Sequence, residues 1–151
     1  METPRRKFLL SSDDTEYLDN AFPEWEAIDG RWILLHNFPV RPGFTVQNVT
    51  AAIQIPSGYP QTRLDMVYFY PAVLRTDGQP IGATGCTVTI DGKPFQRWSR
   101  HYRPGEWQPN EDSIATHIMA IQDWLEGSAP QSPQKQCFVW NFPLGPVVKN
   151  S

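Results

Sequence analysis

The stretch Trp25-Glu26-Ala27-Ile28-Asp29-Gly30-Arg31-Trp32-Ile33-Leu34-Leu35-His36-Asn37-Phe38 decides the class of fold. Two strand-like runs, Trp25 to Ile28 and Arg31 to Phe38, flank Asp29-Gly30, a dipeptide that favours the tight type I′ hairpin turn. The second run, dense in Trp32, Ile33, Leu34 and Leu35, follows as the partner of the first.

Working outward, Pro39 to Phe44 reads as a Pro/Gly loop and Val46 to Ile55 as a third strand. In it Val49, Ala51 and Ile53 alternate with polar neighbours, the period of a half-buried sheet. The turn Pro56-Ser57-Gly58-Tyr59-Pro60 follows, and a fourth strand, Met66 to Tyr70, stops at Pro71. On the N-terminal side, Ser12-Asp13-Asp14-Thr15-Glu16-Tyr17-Leu18 predicts a short helix with a serine N-cap, acids in its first turn and Pro23 beyond its end. A helix followed by an antiparallel meander is an α+β arrangement.

Residues 72–109 lack a long periodic element and are punctuated by Gly78, Gly82, Gly85, Gly92 and Gly105. A short hairpin around Asp91-Gly92 occupies part of this irregular segment in our reading, and a loop this long inside a domain is usually either functional or misassigned. The sequence Asn110-Glu111-Asp112-Ser113 starts the clearest helix, with Ile114, Ile118, Ile121 and Leu125 on one face, Ala115 and Trp124 widening it, and Gly127 as C-cap. We expect one domain over 1–151, with a core of about 12–127 and an extended tail, 128–151, whose cluster Phe138-Val139-Trp140-Asn141-Phe142 packs onto it.

Composition narrows the function. The chain has 151 residues, 40% hydrophobic and 19% charged, with six Trp, eight Phe and five Tyr, enough to close a single core. A net charge of −3 argues against nucleic acid and gives no polybasic membrane patch. No signal-peptide core follows Arg5, Arg6 and Lys7, and no run approaches the roughly 18–20 apolar residues of a membrane span. Two cysteines, Cys86 and Cys137, read as free thiols in a reducing, cytoplasmic compartment, with a disulfide between them as the alternative. Neither has a second Cys or His at zinc-ligand spacing, and phosphate-loop, dinucleotide, zincin and nucleophile-elbow motifs are absent, so no metal or cofactor is expected.

The order of helix, four-stranded meander, long irregular segment and second helix resembles the ubiquitin-conjugating enzyme (UBC-like) fold. The resemblance covers about Ser12 to Leu125. The family's proline turn with a Tyr-Pro pair matches Ile55-Pro56 through Tyr59-Pro60, and its His-Pro-Asn triplet falls at Tyr70-Pro71-Ala72. Its nucleophilic cysteine lies at a similar remove from the Tyr-Pro pair as Cys86, which is 27 residues after Tyr59. The blocks Leu64 to Pro71, Ile90-Asp91-Gly92, Gln96 to His101 and Asp112 to His117 resemble a bacterial branch, prokaryotic family E.

That resemblance implies an acyl carrier. It would take a ubiquitin-like protein from an adenylating activating enzyme as a thioester on Cys86 and pass it to an amine. A JAB-type metalloprotease belongs to the same systems, and antiviral defence is their use by analogy. The alternative is a non-catalytic adaptor that keeps the fold for docking. Cys86 is accordingly either the nucleophile or a half-buried strand residue of Cys86-Thr87-Val88-Thr89-Ile90.

Tyr70 and Ala72 replace the triplet's histidine and asparagine, so the amide donor to the oxyanion is missing there. Losing such a donor costs about 2.7–4 kcal/mol of transition-state stabilisation. Trp98-Ser99-Arg100-His101 is the replacement source: His101 as base or orienting group, Arg100 or Arg97 against negative charge, Ser99 as a turn cap or acyl acceptor. A surface role is the competing reading for His101. His36, His117, Asp65, Asp91 and Cys137 read as structural, and Asp77 as a turn residue whose carboxylate could deprotonate a lysine.

Overall fold

The computed structural model describes residues 3–130. Helix α1, Ser12–Ala21, begins at Ser11, whose hydroxyl accepts from the Asp14 N–H at 3.1 Å and so satisfies one of the free donors of the first turn. It buries Leu18 against the sheet.

Strands β1 (Glu26–Ile28), β2 (Trp32–Pro39), β3 (Asn48–Gln54) and β4 (Val67–Tyr70) form the antiparallel meander. The four-strand expectation is nevertheless corrected. The sheet has six strands, in the order β1-β2-β3-β4-β6-β5, because β5 (Cys86–Ile90) and β6 (Lys93–Trp98) form a hairpin whose second arm docks on β4.

The turns differ from expectation in a related way. Residues 29, 30 and 31 connect β1 to β2, left-handed at Gly30 and Arg31, so that Asp29-Gly30 is not a two-residue turn. The two-residue hairpin is Asp91-Gly92, where Ile90 pairs with Lys93 and both turn residues have positive φ (53° and 76°), as a type I′ turn needs.

Both faces of the sheet bury apolar side chains, which accounts for the unbroken apolar run in β2. Ile33, Leu35, Ala51, Ile53, Val67, Phe69 and Trp98 face the helices. Ile28, Leu34, Ala52, Tyr68, Ile90 and Phe95 form a second core on the other face. At one end of this second core the Arg5 side chain spans the two sides of the sheet. Arg5 Nη2 lies 2.8 Å from Glu26 Oε1 on β1 and 2.9 Å from Asp91 Oδ2 in the β5–β6 turn. Residues 5–7 also hydrogen-bond along the outside of β1, closing that edge.

Helix α2, Ile114–Ser128, buries Ile114, His117, Ile118, Ile121 and Leu125. Its C-cap is Ala129; Gly127 lies inside the last turn and is not the cap. Tyr59 ties the two helices together, its hydroxyl donating to Asp14 Oδ2 (2.8 Å) and accepting from the Ile114 N–H (2.9 Å). Burial, reinforced by the Asp14 carboxylate, pushes the phenol's pKa well above its ordinary value. Tyr59→Phe should leave the buried Asp14 carboxylate without that donor, and urea denaturation should show a loss of about 2–3 kcal/mol. A loss below about 0.5 kcal/mol would contradict this role for Tyr59.

The aromatic cluster Phe138 to Phe142 and Cys137 lie outside the described residues. Among the described residues no helix is long and apolar enough to cross a membrane.

Candidate functional site

Cys86 is the first residue of β5, the outermost strand of the sheet, and it is exposed. Cys86 is thus a strand residue as one reading expected, but it is exposed and not half-buried. A Cβ built on Gly85 would meet nothing within 4 Å, so the space beside Cys86 is open.

Register pairs Cys86 with Arg97 and Arg97 with Tyr68. Residues directly opposite in an antiparallel ladder share a face, so the three form a row. Arg97 is half-buried, and among the described residues its Nε has no hydrogen-bond partner. Its positive charge reaches Tyr68. Burial raises that phenol's pKa, and Arg97 acts in the opposite sense.

Ser99 lies two positions beyond Arg97, directly after the end of β6. Its N–H donates to the Ala83 carbonyl at 3.0 Å, carrying the hairpin contact one step past β6. Here the structure assembles a relay. His101 Nδ1 is 2.9 Å from Asp65 Oδ1, and His101 Nε2 is 3.1 Å from Ser99 Oγ. An ionised carboxylate can only accept, so Nδ1 carries the proton, and the neutral ring presents the Nε2 lone pair to the serine hydroxyl. Carboxylate orients imidazole and imidazole can take the hydroxyl proton, the division of labour found in Ser-His-Asp triads. Asp65, read from sequence as structural, is thus the third member. The β4–β6 pairing brings it to a histidine 36 residues away.

The other expected residues fall into different roles. Both His101 ring nitrogens are hydrogen-bonded within this relay, to Asp65 and Ser99. Arg100 donates to the Gly82 carbonyl (3.0 Å) and lies over the Trp98 ring, and burial lowers its pKa. It tethers the loop before β5, whereas Arg97 is the guanidinium in Cys86's row. Asp77 is held by Arg75 at 2.9 and 2.5 Å, and that hydrogen bonding draws its carboxyl down to about 2. Tyr70 packs its ring on Phe95, with centroids 5.6 Å apart.

His36 donates from Nε2 to Glu26 (3.0 Å), and Asp91 receives Arg5, so both are structural as expected. His117 is fully buried and paired at both nitrogens. Nε2–H donates to the Met66 carbonyl (2.9 Å), leaving Nδ1 to accept from the Tyr102 hydroxyl (2.6 Å).

With the geometry in place, comparison with known proteins adds one finding. The family model for prokaryotic E2 family E matches residues 10–128, well over half of the chain. No curated protein and no solved structure matches it.

Proposed function

Because the chain belongs to prokaryotic E2 family E, we propose that it is an acyl carrier which holds a ubiquitin-like protein as a thioester on Cys86. The exposed sulfur at the sheet margin, in a row with a cationic side chain, is the observation that carries this reading. The thioester on an adenylating activating enzyme is exchanged: its C–S bond breaks as the bond to the Cys86 sulfur forms, and the thiol proton leaves with the displaced thiolate. An acceptor amine then attacks the acyl carbon, forming the amide and releasing Cys86. The partners on this reading are the ubiquitin-like protein, the activating enzyme and, as the cleaving enzyme of the same system, a JAB-type metalloprotease.

One observation favours a second reading. The Asp65–His101–Ser99 relay supports acyl transfer through the Ser99 hydroxyl, giving an oxyester instead of a thioester.

A single assay separates the two. Purified chain is mixed with the activating enzyme, ATP and the ubiquitin-like protein of its own system. The first reading expects an adduct that is cleaved by thiols and lost completely in Cys86→Ala. An adduct that resists thiols, survives Cys86→Ala and disappears in Ser99→Ala would transfer the role to the hydroxyl. Binding with no covalent adduct would leave the chain an adaptor.

A further inference from the structure

The two margins of the sheet are not alike. Residues 5–7 line the outside of β1, but among the described residues nothing pairs with the outside of β5. An open margin presents a row of main-chain donors and acceptors, and sheets usually guard it with proline, lysine or an inward charge. The strand Cys86-Thr87-Val88-Thr89-Ile90 contains none of these, and Thr87 and Thr89 are exposed. Such an edge selects an extended polypeptide, because only that shape can meet each main-chain group.

We infer that the outer edge of β5 is a track for the extended C-terminal tail of the acyl donor, which adds as an antiparallel strand and so brings its terminal carboxyl group to Cys86. This rests on the thioester reading above and specifies how the partner is held. Direction is the decisive point. Cys86 opens the strand, so a chain running antiparallel to β5 arrives at the sulfur with its C-terminus, whereas a parallel one would leave its C-terminus beside Ile90. Five residues give a track of about 17 Å. At its end Arg97 stands opposite Cys86 in the register, and a cation there suits an acyl oxygen. The open space at Gly85 leaves room for the arriving chain.

The test uses the full chain and two synthetic thioesters of 2-mercaptoethanesulfonate. One is the hexapeptide Lys-Thr-Val-Thr-Val-Gly and the other is N-acetylglycine, which has the same reacting group and no strand. In each case the acyl carbon exchanges one sulfur for that of Cys86 and mercaptoethanesulfonate departs. Intact mass and peptide mapping follow acylation of Cys86. The hexapeptide should react at least about tenfold faster, since docking raises its effective concentration at the sulfur. Methylating its alternate backbone nitrogens should return the rate to that of N-acetylglycine.

Equal rates for the two probes would overturn the track and leave Cys86 as carrier. Failure of both to acylate Cys86 would instead count against the thioester reading. Hydrogen exchange of the uncharged full chain closes the remaining route. Outward amides of β5 that are already protected before any probe is added would mean the edge is occupied by the chain's own residues, and the donor track would be wrong.

Discussion

His101→Ala is expected to slow acyl transfer from charged protein to an amine by about 10²–10⁴-fold, the usual contribution of a positioned general base. Melting should be almost unchanged. His101 is an exposed side chain whose ring contacts are the hydrogen bonds to Asp65 and Ser99, so its removal opens no cavity. Asp65→Asn probes the same relay from the other end. An amide in that place can donate to Nδ1, turning the ring so that Nε2 bears the proton and can no longer accept from Ser99. The rate should fall comparably although the side chain keeps its size. A positioning role alone would be rescued by glutamine at 101; a proton-accepting role would not. If single-turnover aminolysis proceeds at the parental rate in both variants, the relay takes no part in transfer.

The second large effect is on stability in acid. Burial holds the His117 imidazole at a pKa of about 4, below the 6.5 of an exposed ring. The unfolded chain therefore takes up a proton as pH falls through about 6.5, while the folded chain declines it until about 4. Stability is lost across that interval, by about 3 kcal/mol in total, against a usual domain stability of 5–15 kcal/mol. Urea midpoints measured at pH 7 and pH 4.5 should show most of it.

Glu26 adds a loss in the same direction at lower pH. Hydrogen bonds from Arg5 hold its carboxyl far below the usual carboxylate range, so its contribution disappears only once the unfolded carboxylate protonates near pH 4.5 and below. Above pH 5 His117 contributes a slope that Glu26 does not. His117→Leu should be less stable than the parent at pH 7, because the Met66 carbonyl and Tyr102 hydroxyl lose their partners, yet it should show a flatter slope above pH 5. A parental slope in that variant would assign the acid sensitivity to another group.

Much of the architecture could be read directly. The stripe Ile114, Ile118, Ile121, Leu125 and the alternation Val49, Ala51, Ile53 are both found in the helix-facing core, because period alone determines which face an apolar residue takes. What could not be read was long-range pairing. β6 contains Pro94, which argues against a strand, and β5 shows little apolar character because only Ile90 is buried. Each makes sense only once β6 lies on β4.

The site follows the same division. Cys86, Ser99 and His101 stood out as reactive residue types; the structure exposes Cys86 and His101 and leaves Ser99 half-buried. Asp65 did not stand out, because a carboxylate before a strand looks the same whether it faces water or a histidine. His117 was likewise ambiguous, since its partner, the Met66 carbonyl, is 51 residues away. Arg97 was named beside Arg100 without preference; only the register with Cys86 separates them.

The clasp made by Arg5 has a consequence for biosynthesis. Its carboxylate partner Asp91 is 86 residues further along, so while the chain is being made the early segment has to wait until the late hairpin has left the ribosome. During that interval the second apolar layer, which needs Ile90 and Phe95, has only Ile28, Leu34, Ala52 and Tyr68 of its six buried members. A nascent chain stalled before Asp91 should therefore be the form most easily captured by chaperones, and one stalled after α2 the first to resist protease.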